Sequence, residues 1–345
     1  MNSPLKLPLP LQLKGIQLSY CEKLEVLPCR MQNLVNLRHL DITGTYSLKE
    51  MPKGMSKLKH LNFLSDYIVG KHEENGIRDL GALDNLHGLL RIAKLENVNN
   101  SREALEAKMD NKKHINILEL IWPTEGDIVD VETARDILEE LQPHRNLKEL
   151  TSIGYGGEIF PDWLGFSCYS NITKLRMNGC KNCRQVPSLG QLPFLQHLEI
   201  LRFDGLERIG SEFYNNDESS HQGTPFRSLQ RLTFFGMPRW REWHIPDDFD
   251  GFPKLRRLSI ERCPVLSGDL PAHLPALEIL CIGECPEMDC LDCFGEECLP
   301  RSLTTLWINN CQKLERWITS KGLFKSGDAR LQGTSPTHLP PKIND

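Results

Sequence analysis

A nine-residue pattern recurs along this chain and restricts its possible folds more than any other feature of the sequence. The clearest copies begin at Ile172, Leu255, Leu277 and Leu303, with aliphatic residues or methionine at the first, fourth and sixth positions and cysteine at the ninth. Between Leu147 and Leu303 the units follow one another at intervals of 22 to 34 residues. A unit this short cannot bury its hydrophobic face alone, so neighbouring units must stack on one another.

This pattern is the signature of leucine-rich repeats, with cysteine in the position that often holds asparagine. It predicts an α/β repeat fold, a horseshoe-shaped solenoid with a parallel sheet on its concave face. We divide the chain into N-terminal repeats at 1–76 with an incomplete first unit, an irregular segment with two helices at 77–150, C-terminal repeats at 151–318 and a disordered tail at 319–345. A solenoid of this kind offers an extended binding face rather than a deep catalytic cleft.

Departures from the repeat give local predictions. Residues 101–110 read as a short helix with Ser101 as its N-cap, and residues 132–141 read as a second helix that Pro143 ends. In the stretch Leu150 to Ile153 the aliphatic spacing is one residue too long, which predicts a bulge or an irregular strand.

Two polar stretches lie between the periodic segments. The acidic residues 123–130 and the inserted residues 215–223 carry few apolar side chains, so we expect both to be mobile loops. Insertions in solenoids map to loops, often on a binding rim.

Charge and cysteine usage exclude several classes of protein. The chain has 41 basic and 46 acidic residues and a net charge of -5, which argues against a nucleic-acid binder. No segment has the ~20 continuous apolar residues that a membrane span needs, and the N-terminus is a poor secretory signal. The cysteines in the repeat position, Cys21 among them, are predicted to be reduced and buried. We therefore expect a cytoplasmic protein.

Residues between the inward leucines are predicted to project from the concave face. Of these, Phe235 and Trp307 are the sharpest candidates, because aromatic and arginine side chains dominate binding hot spots. Arg176, Arg231 and Arg257 are predicted to form a basic stripe, although ordinary solvated surface is the alternative interpretation. The candidate protein-binding residues are Arg176, Asn178, His197, Glu199, Arg231, Thr233, Phe235, Arg257, Ser259, Glu261 and Trp307.

Three tryptophans admit two interpretations. Trp163, Trp240 and Trp243 are either exposed aromatic anchors or fillers of the convex side, and their positions, where other repeats have leucine, favour the second.

No catalytic, cofactor or metal site is predicted from the motifs. The sequence has neither GxSxG nor HExxH. A zinc site that uses Cys285, Cys290, Cys293 and Cys298 is conceivable, but their spacing does not match a standard knuckle and Cys285 already belongs to the repeat.

Longer phrases resemble one family closely. They include LVNLRHLDITGT at 34–45, LENVNNSREALEAKM at 95–109, YGGEIFPDWLG at 155–165 and PSLGQLPFLQHLEI at 187–200. Together with others they cover roughly residues 18–317 and resemble the leucine-rich-repeat region of plant coiled-coil–NB-ARC–LRR disease resistance proteins.

The resemblance implies a recognition and autoinhibition module in defence. Its partners would be proteins: the receptor's nucleotide-binding NB-ARC domain, a pathogen effector or a guarded host protein. The family's GxxxxGK[ST] and MHD motifs do not occur here, so we expect a truncated receptor, a partial gene product or a relative made of the repeats alone, which does not bind ATP by itself. The alternatives are a generic interaction adaptor such as a ubiquitin-ligase substrate receptor, an enzyme, or an extracellular receptor fragment.

Overall fold

A computed structural model describes residues 12–322, apart from 124–129, 215–223, 247–248, 250, 269, 290 and 292–298. The predicted loops at 123–130 and 215–223 therefore lie almost wholly outside the described residues, as does the predicted tail beyond residue 322.

Fifteen short strands and three α-helices are assigned in the described part of the chain. The strands are β1 Gly15–Gln17, β2 His39–Asp41, β3 Phe63–Leu64, β4 Asp66–Ile68, β5 Gly88–Ala93, β6 Ile115–Ile121, β7 Glu149–Ile153, β8 Lys174–Asn178, β9 His197–Leu201, β10 Arg208–Ile209, β11 Arg231–Phe235, β12 Glu242–Trp243, β13 Arg257–Glu261, β14 Ile279–Gly283 and β15 Thr305–Asn309. The helices are α1 Ser101–Leu105, α2 Val131–Glu140 and α3 Gln312–Ser320.

Ten of these strands form one parallel sheet, in the order β15-β14-β13-β11-β9-β8-β7-β6-β5-β4. Strands β1, β2 and β3 form a smaller parallel sheet, and Ser65 links the two sheets through hydrogen bonds to Leu40 and Arg91. The predicted leucine-rich-repeat solenoid with its parallel sheet is thereby confirmed.

The strands form because side chains alternate between two environments. In β13, Leu258 and Ile260 are fully buried while Arg257 and Glu261 on the other face are only half-buried. Since side chains in a strand point to opposite faces with a period of two, the leucines of successive units stack into one continuous core.

The cysteines of the repeat position lie directly behind this sheet. The thiols of Cys263, Cys285 and Cys311 are buried, and each donates to the backbone carbonyl two residues earlier, at 3.2 to 3.4 Å. Cysteine thus serves as a small apolar residue that also satisfies the turn after each strand. Cys21 is exposed, and its predicted burial was wrong.

The bulge predicted between Leu150 and Ile153 was wrong. Strand β7 pairs residue for residue with β6 and β8, and Ser152 occupies the inward position that Met177 fills in the next unit. The register shift in this region lies instead in β5, between Gly88 and Leu89.

Replacing Ser152 with alanine is expected to raise the free energy of unfolding by about 1 kcal/mol. Its hydroxyl is buried, with no hydrogen-bond partner among the described residues, so its desolvation is uncompensated. The matched control is Ser65, also fully buried, whose hydroxyl accepts from the backbone N–H of Ile42 at 2.9 Å. Ser65→Ala should destabilise the fold, and equal effects of the two substitutions in denaturant unfolding would contradict the argument.

The first helix begins differently from the prediction. Asn100 and not Ser101 is the N-cap of α1, since its side chain accepts from the backbone N–H of Glu103 at 3.0 Å. The Glu103 carboxylate turns back to accept from the backbone N–H of Asn99 at 3.1 Å. A carboxylate three residues after the N-cap stabilises the beginning of a helix, and Glu103 stands in that position relative to Asn100. Three residues after Ser101 the sequence has Ala104, which cannot make this contact.

The three tryptophans pack inside the solenoid. Trp163, Trp240 and Trp243 are each at most 6% exposed, and the indole N–H of Trp243 donates to the Tyr214 hydroxyl at 2.9 Å. Their burial shows that the interpretation as exposed anchors was wrong and agrees with the interpretation as interior fillers.

Candidate protein-binding face

The outward side chains of the large sheet form three rows that run across the strands. The rows are straight because β7 to β15 pair in continuous register along the main sheet. The entry row holds the first outward residue of each strand: Glu149, Lys174, His197, Arg231, Arg257, Ile279 and Thr305. The middle row is Asp66, Arg91, Glu119, Thr151, Arg176, Glu199, Thr233, Ser259, Cys281 and Trp307. The exit row is Ile68, Ala93, Ile121, Ile153, Asn178, Leu201, Phe235, Glu261, Gly283 and Asn309.

The middle row neutralises its own charges. Arg91 lies between two carboxylates, 3.2 Å from Asp66 and 3.8 Å from Glu119. Farther along, Arg176 and Glu199 form a pair at 3.5 Å. Burial raises the pKa of the Asp66 carboxyl, although its hydrogen bond with Ser65 and the charge of Arg91 oppose the rise. The middle row therefore forms a polar strip along the centre of the sheet with little net charge.

The entry row concentrates positive charge. Lys174, His197, Arg231 and Arg257 lie on four strands that are successive neighbours in the sheet, in direct register. Neighbouring strands are ~4.8 Å apart, and like charges directly opposite each other are destabilising. Glu149 neutralises only one end of this set, by pairing with Lys174 at 3.5 Å. Partial burial, followed by the charges of Arg231 and Lys174, lowers the pKa of His197.

The exit row is largely apolar from β4 to β11. Ile121 and Ile153 are half-buried, and Leu201 is almost covered. The Phe235 ring carries the Arg262 guanidinium on one face, with 5.2 Å from Cζ to the ring centroid. Entry and exit rows thus differ in chemistry across the width of the sheet.

The structure revises the predicted basic stripe. Arg231 and Arg257 are paired in register, but Arg176 lies in the middle row and is bound to Glu199. The residue that lies in register with His197 and Arg231 on β8 is Lys174, which was not among the predicted residues. The period of two along a strand would have identified this residue. Lys174 lies two positions before Arg176 and Leu201 lies two positions after Glu199, so both share the outward face.

Two predicted surface residues are buried. Asn178 is 7% exposed and Ser259 is 4% exposed. Asn178 lies between Ile153 and Leu201 on the adjacent strands, and Ser259 lies between Thr233 and Cys281. A short side chain on a sheet is covered when its cross-strand neighbours are as long or longer, so an outward direction does not ensure exposure.

Part of the Trp307 side chain packs against the neighbouring strand β14. Its ring covers Gly283 on the neighbouring strand so closely that a Cβ at Gly283 would lie 2.8 Å from Trp307 Cζ3. The far end of the Trp307 ring is therefore packed against the neighbouring strand.

Outside the sheet, a hollow of about 960 Å³ is lined by charges of both signs. Arg208 and Arg239 contribute cations to it, and Glu207 and Glu242 contribute carboxylates. Its charges largely cancel, so it lacks the one-sided character of the entry row.

The metal hypothesis finds no support within the described residues. They contain no group of three or more His, Cys, Asp or Glu side chains that could hold a metal ion, while Cys290, Cys293 and Cys298 lie outside them. Among the described helices, none combines the length and hydropathy required to cross a bilayer.

Comparison with protein families matches residues 77–203 to the model for R13L1/DRL21 leucine-rich repeats. The matched segment begins where the predicted irregular segment begins and includes β5 to β9.

Several curated relatives are plant disease resistance proteins. The Arabidopsis thaliana disease resistance protein At3g14460 is 38% identical over 72% of this chain and 18% of its own length. The RPP13-like protein 1 of the same plant is 38% identical over 65% of this chain and 22% of its own length. The disease resistance protein RGA1 of Solanum bulbocastanum is 31% identical over 64% of this chain and 21% of its own length. The chain therefore spans about a fifth of the length of these relatives.

Two solved structures are similar over most of the chain. A chain of the TLR13–ssRNA13 complex covers 82% of this chain and 39% of its own length, with a TM-score of 0.47 and 15% identity. The ectodomain of the Arabidopsis thaliana receptor kinase GASSHO1/SCHENGEN3 covers 87% of this chain and 37% of its own length, with a TM-score of 0.34 and 12% identity. Likenesses this distant carry no argument about function.

Proposed function

The chain carries the leucine-rich repeats of plant disease resistance proteins, and from that premise we propose that its concave sheet recognises protein partners in defence. In the resting receptor, the face would contact the nucleotide-binding domain. A pathogen effector or a modified host protein would compete for the same surface and shift the receptor toward its active state. A ligand shifts such an equilibrium only by its difference in affinity for the two states.

The observation that carries the proposal is the unequal chemistry of the three rows. Arg231 and Arg257 lie directly opposite each other on adjacent strands and repel each other in the isolated chain, and carboxylates of a partner would relieve this repulsion. The apolar exit row supplies area whose removal from water favours association. The proposal also places the receptor in the cytoplasm, because the buried thiols of Cys263 and Cys285 suit a reducing compartment.

Reversing the charge of the entry row is expected to weaken partner capture. The test immobilises the 345-residue chain and measures its capture of a related receptor's nucleotide-binding domain supplied in trans. The variant Lys174→Glu/Arg231→Glu/Arg257→Glu should lose at least about tenfold in affinity, since each unfavourable pair at an interface costs of the order of 1 kcal/mol or more.

The matched control reverses three exposed cations outside the concave sheet, Arg208, Arg239 and Arg316. It imposes the same change in net charge and should leave capture unchanged. The proposal fails if the wild-type chain captures no nucleotide-binding domain, or if both triple variants lose capture equally.

A further inference from the structure

We infer that a hollow at the edge of the main sheet, where β5 to β8 begin, is a binding site for a single phosphate monoester group. The hollow has a volume of about 340 Å³ and is lined by two histidines, two lysines and three asparagines. It lies at the edge of the sheet and not on the concave face. Its ligand is therefore separate from the partner proposed for the concave sheet.

The lining residues come from the turns that precede neighbouring strands. His87 directly precedes β5, Lys113 and His114 directly precede β6, and Lys148 directly precedes β7. Asn171 lies in the turn before β8. Because the strands of a parallel sheet run in the same direction, the turns that precede them meet at one edge. The hollow thus brings together side chains from four repeats.

An irregularity of the sheet lies at the same place. Gly88 pairs with Ile115 and Leu89 pairs with Ile117, so Asn116 of β6 has no partner residue in β5. Gly88 has a φ of +79°, a left-handed conformation that glycine adopts at no steric cost. An extra residue of this kind bends a strand and redirects side chains, and such bulges are frequent beside functional sites. Asn116 is one of the residues that line the hollow.

The fixed charge of the hollow is of one sign. Lys113 and Lys148 contribute two positive charges, and none of the lining residues is acidic. Within the part of the chain that the structure describes, neither lysine side chain forms an ion pair. An anion that enters the hollow would therefore meet two cations that have no carboxylate partner of their own.

The acidic residues of the surrounding turns lie outside the lining. Glu149 is the residue after Lys148, but its carboxylate pairs with Lys174 at 3.5 Å. Asp84 and Asp110 act on the buried Lys112, and neither of them lines the hollow. A bound anion would thus not lie directly against a carboxylate of the lining.

The two histidines add charge only when they take up protons. The rings of His87 and His114 are stacked, with centroids 4.5 Å apart and an angle of 10° between the planes. Partial desolvation, followed by the charges of His87, Lys113 and His144, lowers the pKa of His114. An anion between these groups would oppose the lowering, because an opposite charge nearby favours the protonated ring.

A hydrogen bond determines which nitrogen of His87 is free in the neutral ring. Nδ1 is within hydrogen-bond distance of the backbone carbonyl oxygen of Asn85, which can only accept, so Nδ1 carries the proton. Nε2 then becomes an N–H donor only when the ring is protonated. Use of His87 as a second donor to an anion therefore requires proton uptake.

The donors suit a phosphate monoester better than a carboxylate or a metal ion. A flat carboxylate is matched by the fork of an arginine, and the lining contains no arginine, whereas lysine binds phosphate as a point charge. A phosphate monoester carries up to two negative charges and three acceptor oxygens, while a phosphodiester carries one charge. The nearly parallel imidazoles of His87 and His114 cannot both direct an in-plane lone pair at one ion.

Hydrogen bonds between neighbouring turns hold the hollow in shape. The side-chain amide of Asn146 donates to the backbone carbonyl of Lys113 at 3.0 Å. The backbone N–H of Lys148 donates to the carbonyl of Asn116 at 2.8 Å. Because the backbone is ordered in the absence of a ligand, binding needs to immobilise only the ends of the two lysine side chains.

The test measures the binding of small phosphate esters to the whole chain by isothermal titration calorimetry. Low ionic strength is used, because salt screens exposed charges. Glucose 6-phosphate and N-acetylphosphoserine amide present the monoester on a sugar and on a protein side chain. Dimethyl phosphate has the same tetrahedral group with one charge, and N-acetylserine amide has no phosphate.

Both monoesters should bind at least about tenfold more tightly than dimethyl phosphate, a factor that corresponds to ~1.4 kcal/mol. N-acetylserine amide should not bind. Tighter binding of the sugar ester would assign the site to a small phosphorylated metabolite, and tighter binding of the phosphoserine amide would assign it to a phosphorylated protein. Equal binding of dimethyl phosphate, or no binding of either monoester below about 10 mM, would overturn the inference.

Two matched double variants locate the site. Lys113→Gln/Lys148→Gln should weaken the binding of both monoesters at least about tenfold, since charge-assisted hydrogen bonds are the stronger ones. The control Lys23→Gln/Lys254→Gln removes two exposed lysines outside the hollow and should leave binding unchanged. Lys254 stands in the turn before β13, at the same edge of the sheet but in another repeat. Equal effects of the two variants would contradict the inference.

The histidines provide a readout that a nonspecific effect of charge would not give. The pKa of His114 should rise when the chain is saturated with glucose 6-phosphate, as followed by NMR. Binding should therefore tighten as pH falls from about 8 to about 6.5, a range above the second phosphate pKa of about 6. The variant His87→Gln/His114→Gln should lose most of this pH dependence. An unchanged His114 titration in the saturated complex would show that the phosphate binds elsewhere.

Discussion

Replacing Trp240 with alanine is expected to lower the free energy of unfolding by about 4 kcal/mol, the usual cost of truncating a fully buried tryptophan. Trp240 is 0% exposed and packs against Phe234 and Trp243, with ring centroids 4.8 and 6.0 Å away. Its indole N–H donates to the carbonyl of Glu242 at 2.8 Å. Truncation therefore opens a cavity and removes an anchor of the turn between β11 and β12.

The loss should be local at first. In a solenoid each unit contacts mainly its neighbours, so hydrogen exchange should accelerate in β9, β11 and β13 before it does in β5 and β6. The matched control is Trp317, a half-buried tryptophan of α3. Trp317→Ala should cost much less, and equal shifts in denaturant unfolding for the two variants would contradict the packing argument.

The second large effect concerns a buried lysine. Lys112 is 1% exposed, and its ammonium donates to the carbonyls of Leu80 and Leu83 at 2.7 and 3.2 Å. Burial lowers the pKa of Lys112 to about 8, a fall that the carboxylate of Asp84 partly offsets. The positive charge is thus held inside the irregular segment without a direct carboxylate partner among the described residues.

The sign of the pH dependence follows from this lowered pKa. Between about pH 8 and the unfolded lysine value of ~10.4 the unfolded chain binds more protons than the folded chain, so stability rises with pH in this window. Below about pH 8 the full cost of the buried charge is present. The free energy of unfolding of the wild type minus that of Lys112→Met should therefore rise by about 2 to 3 kcal/mol between pH 7 and pH 10.

The control for the lysine is its exposed neighbour. Lys113→Met removes the same charge at an exposed position, and its stability curve should run parallel to that of the wild type. If the Lys112→Met curve is parallel as well, the ammonium is not desolvated in the folded protein and the argument is wrong.

Features encoded within one repeat could be predicted from the sequence. Inward leucines such as Leu175 and Leu258, and buried cysteines such as Cys263, follow from a period of two and a fixed position in the unit. The resemblance to plant disease resistance proteins was confirmed, since it rests on long phrases rather than on the leucines alone.

Predictions that depended on neighbouring chain segments were less successful. The N-cap is Asn100 and not Ser101, because the Asn100 side chain accepts from the backbone N–H of Glu103 while the Glu103 carboxylate accepts from the backbone N–H of Asn99. Strand β7 stayed regular because β6 and β8 impose their register on it, even with Ser152 in an apolar position. The disordered tail and the mobile insert remain predictions, because they fall largely on residues that the structure does not describe.

The sequence by itself determined that this chain is a leucine-rich-repeat solenoid and which side of each strand faces the core. Only the tertiary structure decided which outward residues meet. The units differ in length, from 22 to 34 residues, so sequence distance does not tell which residues of two neighbouring strands lie opposite each other; the hydrogen-bonded register of the strands does. That register placed Lys174 beside His197, paired Arg176 with Glu199 and covered Asn178 between Ile153 and Leu201. The candidate binding face is therefore a property of the stacked sheet, since no single repeat contains it.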